Sequence, residues 1–220
     1  MEKTKLPAAK GTPAAATPAA KPVTPPPGNP PPLFRRIDWL AFLLTTLVVW
    51  IGYFWTLAPD LTLEDSGELA VASFYAGIPH PPGYPVWTIY TWLWTLLPIS
   101  NVAWRVALGE ATAGALACGL LGFVVSRGSS MMMEGIADLK DIAKRWENVI
   151  CLVSGFVAGA LLGFNGYMWS QSVIVEVYAF SVLSLMGVLV MLLRWMYAPQ
   201  QRRYLYWAFF IFGICFTNHQ

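Results

Sequence analysis

The sequence predicts an all-α protein: a polytopic transmembrane helix bundle of about five spans, with interfacial helices in the first outer loop. Three observations point there. Of 220 residues, 56% are hydrophobic and 12% are charged, whereas a soluble domain carries roughly 25% charged residues. So little charge cannot cover a globular surface. Aromatic residues reach 15%, with 11 Trp, and Trp and Tyr favour the headgroup zone of a bilayer. The basic residues also gather on one side of the apolar runs. Together these exclude a soluble enzyme, a nucleic-acid binder and a disordered regulator. The formal net charge of +2 says little until the charges are sorted by side.

Residues 1–36 differ from the rest of the chain. Residues 1–33 hold ten of the 17 prolines, with Ala, Thr and Lys between them. Such a segment buries almost nothing and is expected to be a disordered cytoplasmic tail carrying Lys3, Lys5, Lys10 and Lys21. No apolar run precedes its Ala-x-Ala stretches, so a cleaved signal peptide is not expected. Residues 37–220 form the expected transmembrane domain. Arg35-Arg36 precede the first apolar run, 39–58, whose ~20 residues at about 1.5 Å each match a hydrocarbon core about 30 Å thick. Arg at that end marks it as cytoplasmic and the run as a signal anchor. Segment 84–98 is apolar and dense in Trp and Tyr, but Pro85 and Pro98 bracket only about 12 residues, too few to span. It is expected to be an interfacial or re-entrant helix. Runs at 106–125, 149–168, 173–195 and the shorter 204–216 complete the bundle. The chain ends just after the last run, and the domain is expected to continue beyond Gln220.

With 84–98 outside the bilayer core, the alternating runs put Arg127, Lys140, Lys144, Arg145, Arg194, Arg202 and Arg203 on the side of the basic tail. Arg105 is then the one basic residue on the other side. Were 84–98 a span, most of those cations would face outward, against the positive-inside rule. Loop 126–148 is accordingly cytoplasmic, and its mixed charges at helical spacing read as a solvated or interfacial helix without chemistry. Cys118, Cys151 and Cys215 lie within apolar runs. Their spacing fits neither a disulfide framework nor a zinc site, so they read as buried hydrophobes.

On this topology Asp60, Glu64, Asp65, Glu68, His80, Arg105, Glu176 and His219 all lie at or beyond the outer interface, with Glu110 about one turn inside. Ionisable groups at a membrane boundary are costly to keep and mark candidate sites. Glu64-Asp65-Ser66-Gly67-Glu68 is the densest cluster. It reads either as a helix cap, with Asp65 at the N-cap and Glu68 reaching back, or as a fixed, water-accessible carboxylate able to act as a general base. His80-Pro81-Pro82-Gly83-Tyr84-Pro85 is a rigid turn that either links two surface helices or holds His80 over the site. Arg105 reads as a snorkelling anchor or as a binder of substrate phosphate. Glu176 lies one turn into the run 173–195 and needs a partner, with Arg105, His80 and Tyr178 as candidates. No tight ligand spacing appears, so no metal site is expected.

The strings Ala58-Pro59-Asp60-Leu61-Thr62-Leu63-Glu64-Asp65-Ser66-Gly67-Glu68, Gly77-Ile78-Pro79-His80-Pro81-Pro82-Gly83-Tyr84-Pro85 and Trp104-Arg105 together make a pattern. With Glu176-Val177-Tyr178 and Thr217-Asn218-His219, it resembles the N-terminal region of the transmembrane O-mannosyltransferase-like family, within the GT-C superfamily of polyprenyl-phosphate-sugar-dependent glycosyltransferases. The resemblance covers about residues 37–220. It implies a GT-C-like helical bundle whose first outer loop carries an acidic catalytic motif. It places the catalytic carboxylate at Asp65, with Glu64, Glu68, His80, Arg105, Glu176 and His219 as substrate-binding candidates and Arg105 on the lipid phosphate. The implied activity moves a sugar, with mannose as the candidate, from a polyprenyl-phosphate carrier to an acceptor hydroxyl on a protein, glycan or lipid outside the cytoplasm. The donor is the lipid-linked sugar itself, membrane lipid is the other expected partner, no further cofactor is assigned, and no nucleic acid is expected. The alternative is a non-catalytic membrane subunit or a lipid-binding or transport fragment. In that reading Glu64, Asp65 and Glu68 are caps, and Arg105 and Glu176 form a structural ion pair.

Overall fold

The computed structural model describes residues 32–62, 65–81 and 83–218. The expectations for residues 1–31, Glu64 and His219 lie outside these. Among the described residues the fold is all-α: eight α-helices, one 3-10 turn at Ala137–Leu139, and no strand. The helices are α1 (Arg36–Trp55), α2 (Ser66–Tyr75), α3 (Pro85–Thr95), α4 (Val102–Gly135), α5 (Lys144–Gly163), α6 (Gly166–Ser172), α7 (Tyr178–Tyr197) and α8 (Arg203–Cys215).

Four of them, α1, α4, α5 and α7, are long and apolar enough to cross a membrane. The fifth expected run forms α8, an apolar helix of 13 residues, only about 20 Å long at 1.5 Å per residue. The 84–98 segment folds as α3, whose 11 residues reach about 16 Å, well short of a bilayer core.

α4 organises the bundle. Its 34 residues extend for about 51 Å, and it packs against α1, α5, α7, α3, α2 and α6. Two-thirds of its most apolar stretch is buried by other helices, while α1, α5 and α7 leave most of theirs facing outward, where lipid would lie. Small residues allow the close fit. On α5, Gly155, Gly159 and Gly163 recur every fourth residue and so share one face. A Cβ on Gly159 would meet the carbonyl oxygen of Cys118 on α4 at 2.5 Å, and also Thr45 of α1. With no hydrophobic drive between helices in lipid, backbone contact of this kind supplies the packing energy.

The apolar runs do not map one-to-one onto helices. The run 149–168 breaks after Gly163, where Phe164 ends α5 and Asn165 starts α6, its side chain accepting a hydrogen bond from the Met168 amide at 2.8 Å. The run 173–195 begins with a non-helical stretch, and α7 starts only at Tyr178. Glu176 therefore precedes the span, correcting the expectation that it sits one turn inside.

At the end of the bundle where α1 begins, polar residues tie three helices together. Arg35 and Asp38 form the capping box of α1. Arg35 Nη1 reaches Glu147 of α5, Ser126 of α4 donates to Asp38 at 2.6 Å, and Ser130 donates to Glu147 at 2.9 Å. Leu33 is buried, so packing starts a few residues ahead of the 36/37 boundary read from composition. Cys118 and Cys151 are buried and Cys215 is partly exposed, all three as free thiols.

Candidate functional site

The other end of α4 carries the acidic cluster. α2 starts with Asp65 at its N-cap, but the Asp65 side chain makes no capping hydrogen bond. Ser66 takes over the local turn, accepting from the Thr62 amide at 3.0 Å and donating to the Thr62 carbonyl at 2.7 Å. Glu68 does not reach back to the helix start. It reaches forward, accepting the His80 amide at 2.6 Å on one carboxylate oxygen and facing His80 Nδ1 at 3.2 Å with the other. Both carboxylates are thus free of the capping role, and the Asp65 side chain is 61% exposed.

The His-Pro-Pro-Gly turn folds back over α2. Gly83 lies at φ +90 and Tyr84 at φ +41, a region that side chains other than Gly seldom adopt. Pro85 then fills the first helical position of α3, where its missing N–H costs nothing. The strained Tyr84 backbone sends its ring into the core and its hydroxyl to His80 Nε2, 3.2 Å away. Asp65 Oδ2 lies 3.9 Å from the same nitrogen. With Nδ1 protonated, the bonds are consistent: Nδ1–H donates to Glu68 and Nε2 accepts from Tyr84. Burial first, and then the nearby carboxylates of Asp65, Glu176 and Glu68, raise the Tyr84 hydroxyl above its usual pKa, so it stays a donor at neutral pH.

Beneath this surface, Leu69, Ala70, Tyr84, Trp87, Ala103, Val106, Ala107, Val175 and Val177 form one buried cluster. Since Val175 and Val177 flank it, Glu176 enters the same region, itself buried. α3 docks on α4 through polar as well as apolar contacts. Trp87 Nε1 donates to the fully buried Glu110 at 2.7 Å, and the Tyr90 hydroxyl donates to the Gly109 carbonyl at 2.7 Å. Ser73 of α2 and Thr91 of α3 share a hydrogen bond of 2.8 Å.

Arg105 serves backbone carbonyls. Its Nη1 donates to the Thr95 and Leu97 carbonyls at the end of α3, and its Nε to the Asn101 carbonyl. Among the described residues it has no ion pair, with Glu176 or any other acid. It closes the orphan carbonyls of α3 and so holds that helix against α4. Asp60 lies on a separate groove of about 250 Å³ between α2 and the start of α4, lined also by Gly67, Val71, Phe74 and Asn101. Asn218, buried, donates to Ser184 at 3.4 Å.

The structure therefore brings together Asp65, Glu68 and His80, with Glu176 close by through Tyr84, while the bonds of Arg105 among the described residues go to backbone carbonyls. Asp65, Glu68 and His80 can each offer one ligand atom within 4.8 Å of the others, the arrangement a cation would need. Both His80 ring nitrogens already have hydrogen-bond partners, so a cation would displace one of them. Sequence reasoning missed Tyr84 as a site residue. The Gly83-Tyr84-Pro85 string was its only signal, since the left-handed backbone follows from packing that the string does not show.

The comparisons with known proteins fit this region. A family model described as the protein O-mannosyl-transferase TMEM260 N-terminal domain matches residues 65–220, beginning at Asp65 itself. A protein O-mannosyl-transferase TMEM260 from Mus musculus is 34% identical over 125 residues, covering 56% of this chain and 15% of that protein. A protein O-mannosyl-transferase tmem260 from Dictyostelium discoideum is 32% identical over 81 residues, 36% of this chain and 9% of that one. The matched region is thus a small part of either relative. No solved structure matches.

Proposed function

The chain belongs to the protein O-mannosyl-transferase TMEM260 N-terminal domain family, and on that premise we propose that it forms the site-bearing N-terminal part of a membrane glycosyltransferase. It moves a sugar, with mannose the first candidate, from a polyprenyl-phosphate carrier to an acceptor hydroxyl on the non-cytoplasmic side. The relatives' names support the transfer of mannose. The one-sided placement of Lys and Arg supports the sidedness.

The observation that carries the reading is the uncapped, exposed Asp65 beside an ordered His80. A carboxylate at a helix start that is not used as a cap is left open to a substrate. Asp65 takes the proton of the acceptor hydroxyl as that oxygen bonds to the anomeric carbon. The bond from that carbon to the carrier phosphate breaks, and its electron pair leaves with the phosphate. Glu68 and Tyr84 hold His80 from either side, so the imidazole keeps one orientation next to Asp65. Arg105 contributes by fixing α3, and with it Tyr84, rather than by touching phosphate.

The test is Asp65→Asn in the membrane-embedded protein, with transfer of labelled sugar from a polyprenyl-phosphate donor as the readout. A lost general base lowers the rate by roughly 10²–10⁴-fold, with the melting temperature in detergent unchanged. Full turnover in this variant would remove Asp65 as the base. The second reading, a non-catalytic membrane subunit, draws on one observation: Arg105 is committed to backbone carbonyls and no cationic side chain among the described residues pairs with Asp65 except His80. Under that reading Asp65→Asn changes nothing measurable.

A further inference from the structure

At the far end of α4 from the acidic cluster lies a groove of about 420 Å³. Val124, Gly128 and Met131 of α4 form one wall, Leu193, Met196 and Tyr197 of α7 the other, and Leu33-Phe34 close one side. The Phe34 ring stacks on Phe123 with centroids 3.8 Å apart, which fixes that side. The lining is apolar with one exception. Arg127 faces the groove with its side chain only 12% exposed. Of the five N–H donors of its guanidinium, those on Nη1 meet Ser130 at 3.1 Å and pair with Glu134 at 3.6 Å, Nε is buried without a partner, and the two on Nη2 make no hydrogen bond among the described residues.

A cation with unused donors in an otherwise apolar groove matches an amphiphile whose anionic group sits at one end of a hydrocarbon chain. Position agrees. Arg127 lies 25 residues along α4 from Val102, about 38 Å, which exceeds a hydrocarbon core of about 30 Å and puts the guanidinium at headgroup depth. Tyr197, the kind of residue found at that depth, lines the same groove. We propose that this groove is a binding site for a membrane glycerophospholipid, one acyl chain lying between α4 and α7 and the phosphate taken by Arg127. It is separate from the Asp65 region and would hold a structural lipid rather than the sugar donor.

Gly128 supplies the test. A Cβ there would meet nothing within 4 Å, so Gly128→Leu starts its side chain in open space and directs it into the groove. The purified chain in detergent is titrated with phosphatidylglycerol, with diacylglycerol and with a short polyprenyl phosphate, and bound lipid is counted by native mass spectrometry. Phosphatidylglycerol is expected to be retained over both others; Arg127→Gln weakens it by roughly tenfold or more, the effect of one lost charge-assisted bond, and Gly128→Leu weakens it by occupying the space of the acyl chain. Val157→Leu, on the outward face of α5, serves as the control and leaves retention unchanged. Equal retention of diacylglycerol by the unaltered chain, which needs no variant to fold, overturns phosphate recognition. Preference for polyprenyl phosphate overturns the choice of lipid. Self-association abolished by Gly128→Leu, with no lipid retained, assigns the groove to a second copy and overturns the proposal. Each outcome is independent of sugar transfer.

Discussion

Tyr84 shows how one residue can join backbone conformation to site chemistry. Its left-handed φ is tolerated because the ring is buried against Trp87 and the hydroxyl is held at His80. Tyr84→Phe removes that hydrogen bond and is expected to cost about 1 kcal/mol. The pH dependence has a definite sign. The folded pKa is raised by burial and by the neighbouring carboxylates. The bond therefore contributes fully below the ordinary tyrosine value of about 10, and its contribution is lost as pH rises through the higher folded value. Melting temperature against pH for the two proteins should show a larger alkaline step in the parent than in Tyr84→Phe. An identical step in both would mean the hydroxyl is not coupled to folding. Asp65 and Glu68, three apart at a helix start, were legible as a pair in the sequence. That His80 joins them was only one of two readings, because it depends on how a turn 12 residues downstream of Glu68 folds back. Arg105 was illegible in a different way: the backbone carbonyls it serves have no sequence signature at all.

At the scale of the helices, hydropathy located the bundle but blurred its joints. α1 lies within three residues of its run at either end, but α4 outruns the stretch 106–125 on both sides and takes up residues 126–135 of the expected loop 126–148, while α5 already starts at Lys144. The breaks at 164–165 and 173–177 fall inside continuous apolar stretches, where average hydropathy cannot separate a helix from a buried turn. Asn165 was the readable hint, since Asn before a helix is a preferred cap. The glycine face of α5 gives a prediction of its own. Gly159→Leu forces side-chain atoms against the Cys118 carbonyl of α4 and against Thr45 of α1. Overpacking of this kind costs typically 1–3 kcal/mol. In a detergent melt Gly159→Leu should unfold at clearly lower temperature than Gly128→Leu, whose added atoms enter open space. Equal melting temperatures would show that the close approach of α4 and α5 contributes little.

The whole molecule is held by opposite devices at its two ends. Near α2 and α3 the tertiary contacts are aromatic packing and hydrogen bonds, with Arg105 meeting backbone carbonyls and Glu110 meeting Trp87, and the charge pairs are confined to the His80 cluster. At the start of α1 they are ionic, with Arg35 joining Asp38 and Glu147. Arg35→Ala leaves the buried Asp38 without a cation and Glu147 with Lys144 alone, and is expected to cost about 3–5 kcal/mol, nearly all of it from Asp38. Lys144, 68% exposed in its own pair with Glu147, should be nearly silent when changed to Ala, at about 0.5 kcal/mol or less. Chemical denaturation of the two variants side by side separates these expectations, and a silent Arg35→Ala would reduce the network to decoration.

The separation of Arg35 from Glu147, 112 positions along the chain, has a consequence for biogenesis. During synthesis α1 must enter the bilayer long before α5 exists. It can do so because Arg35 has Asp38 three residues away, and Glu147 later arrives with Lys144 three residues before it. Each acid thus travels with a local escort, and the long-range bond forms only when both helices are in place.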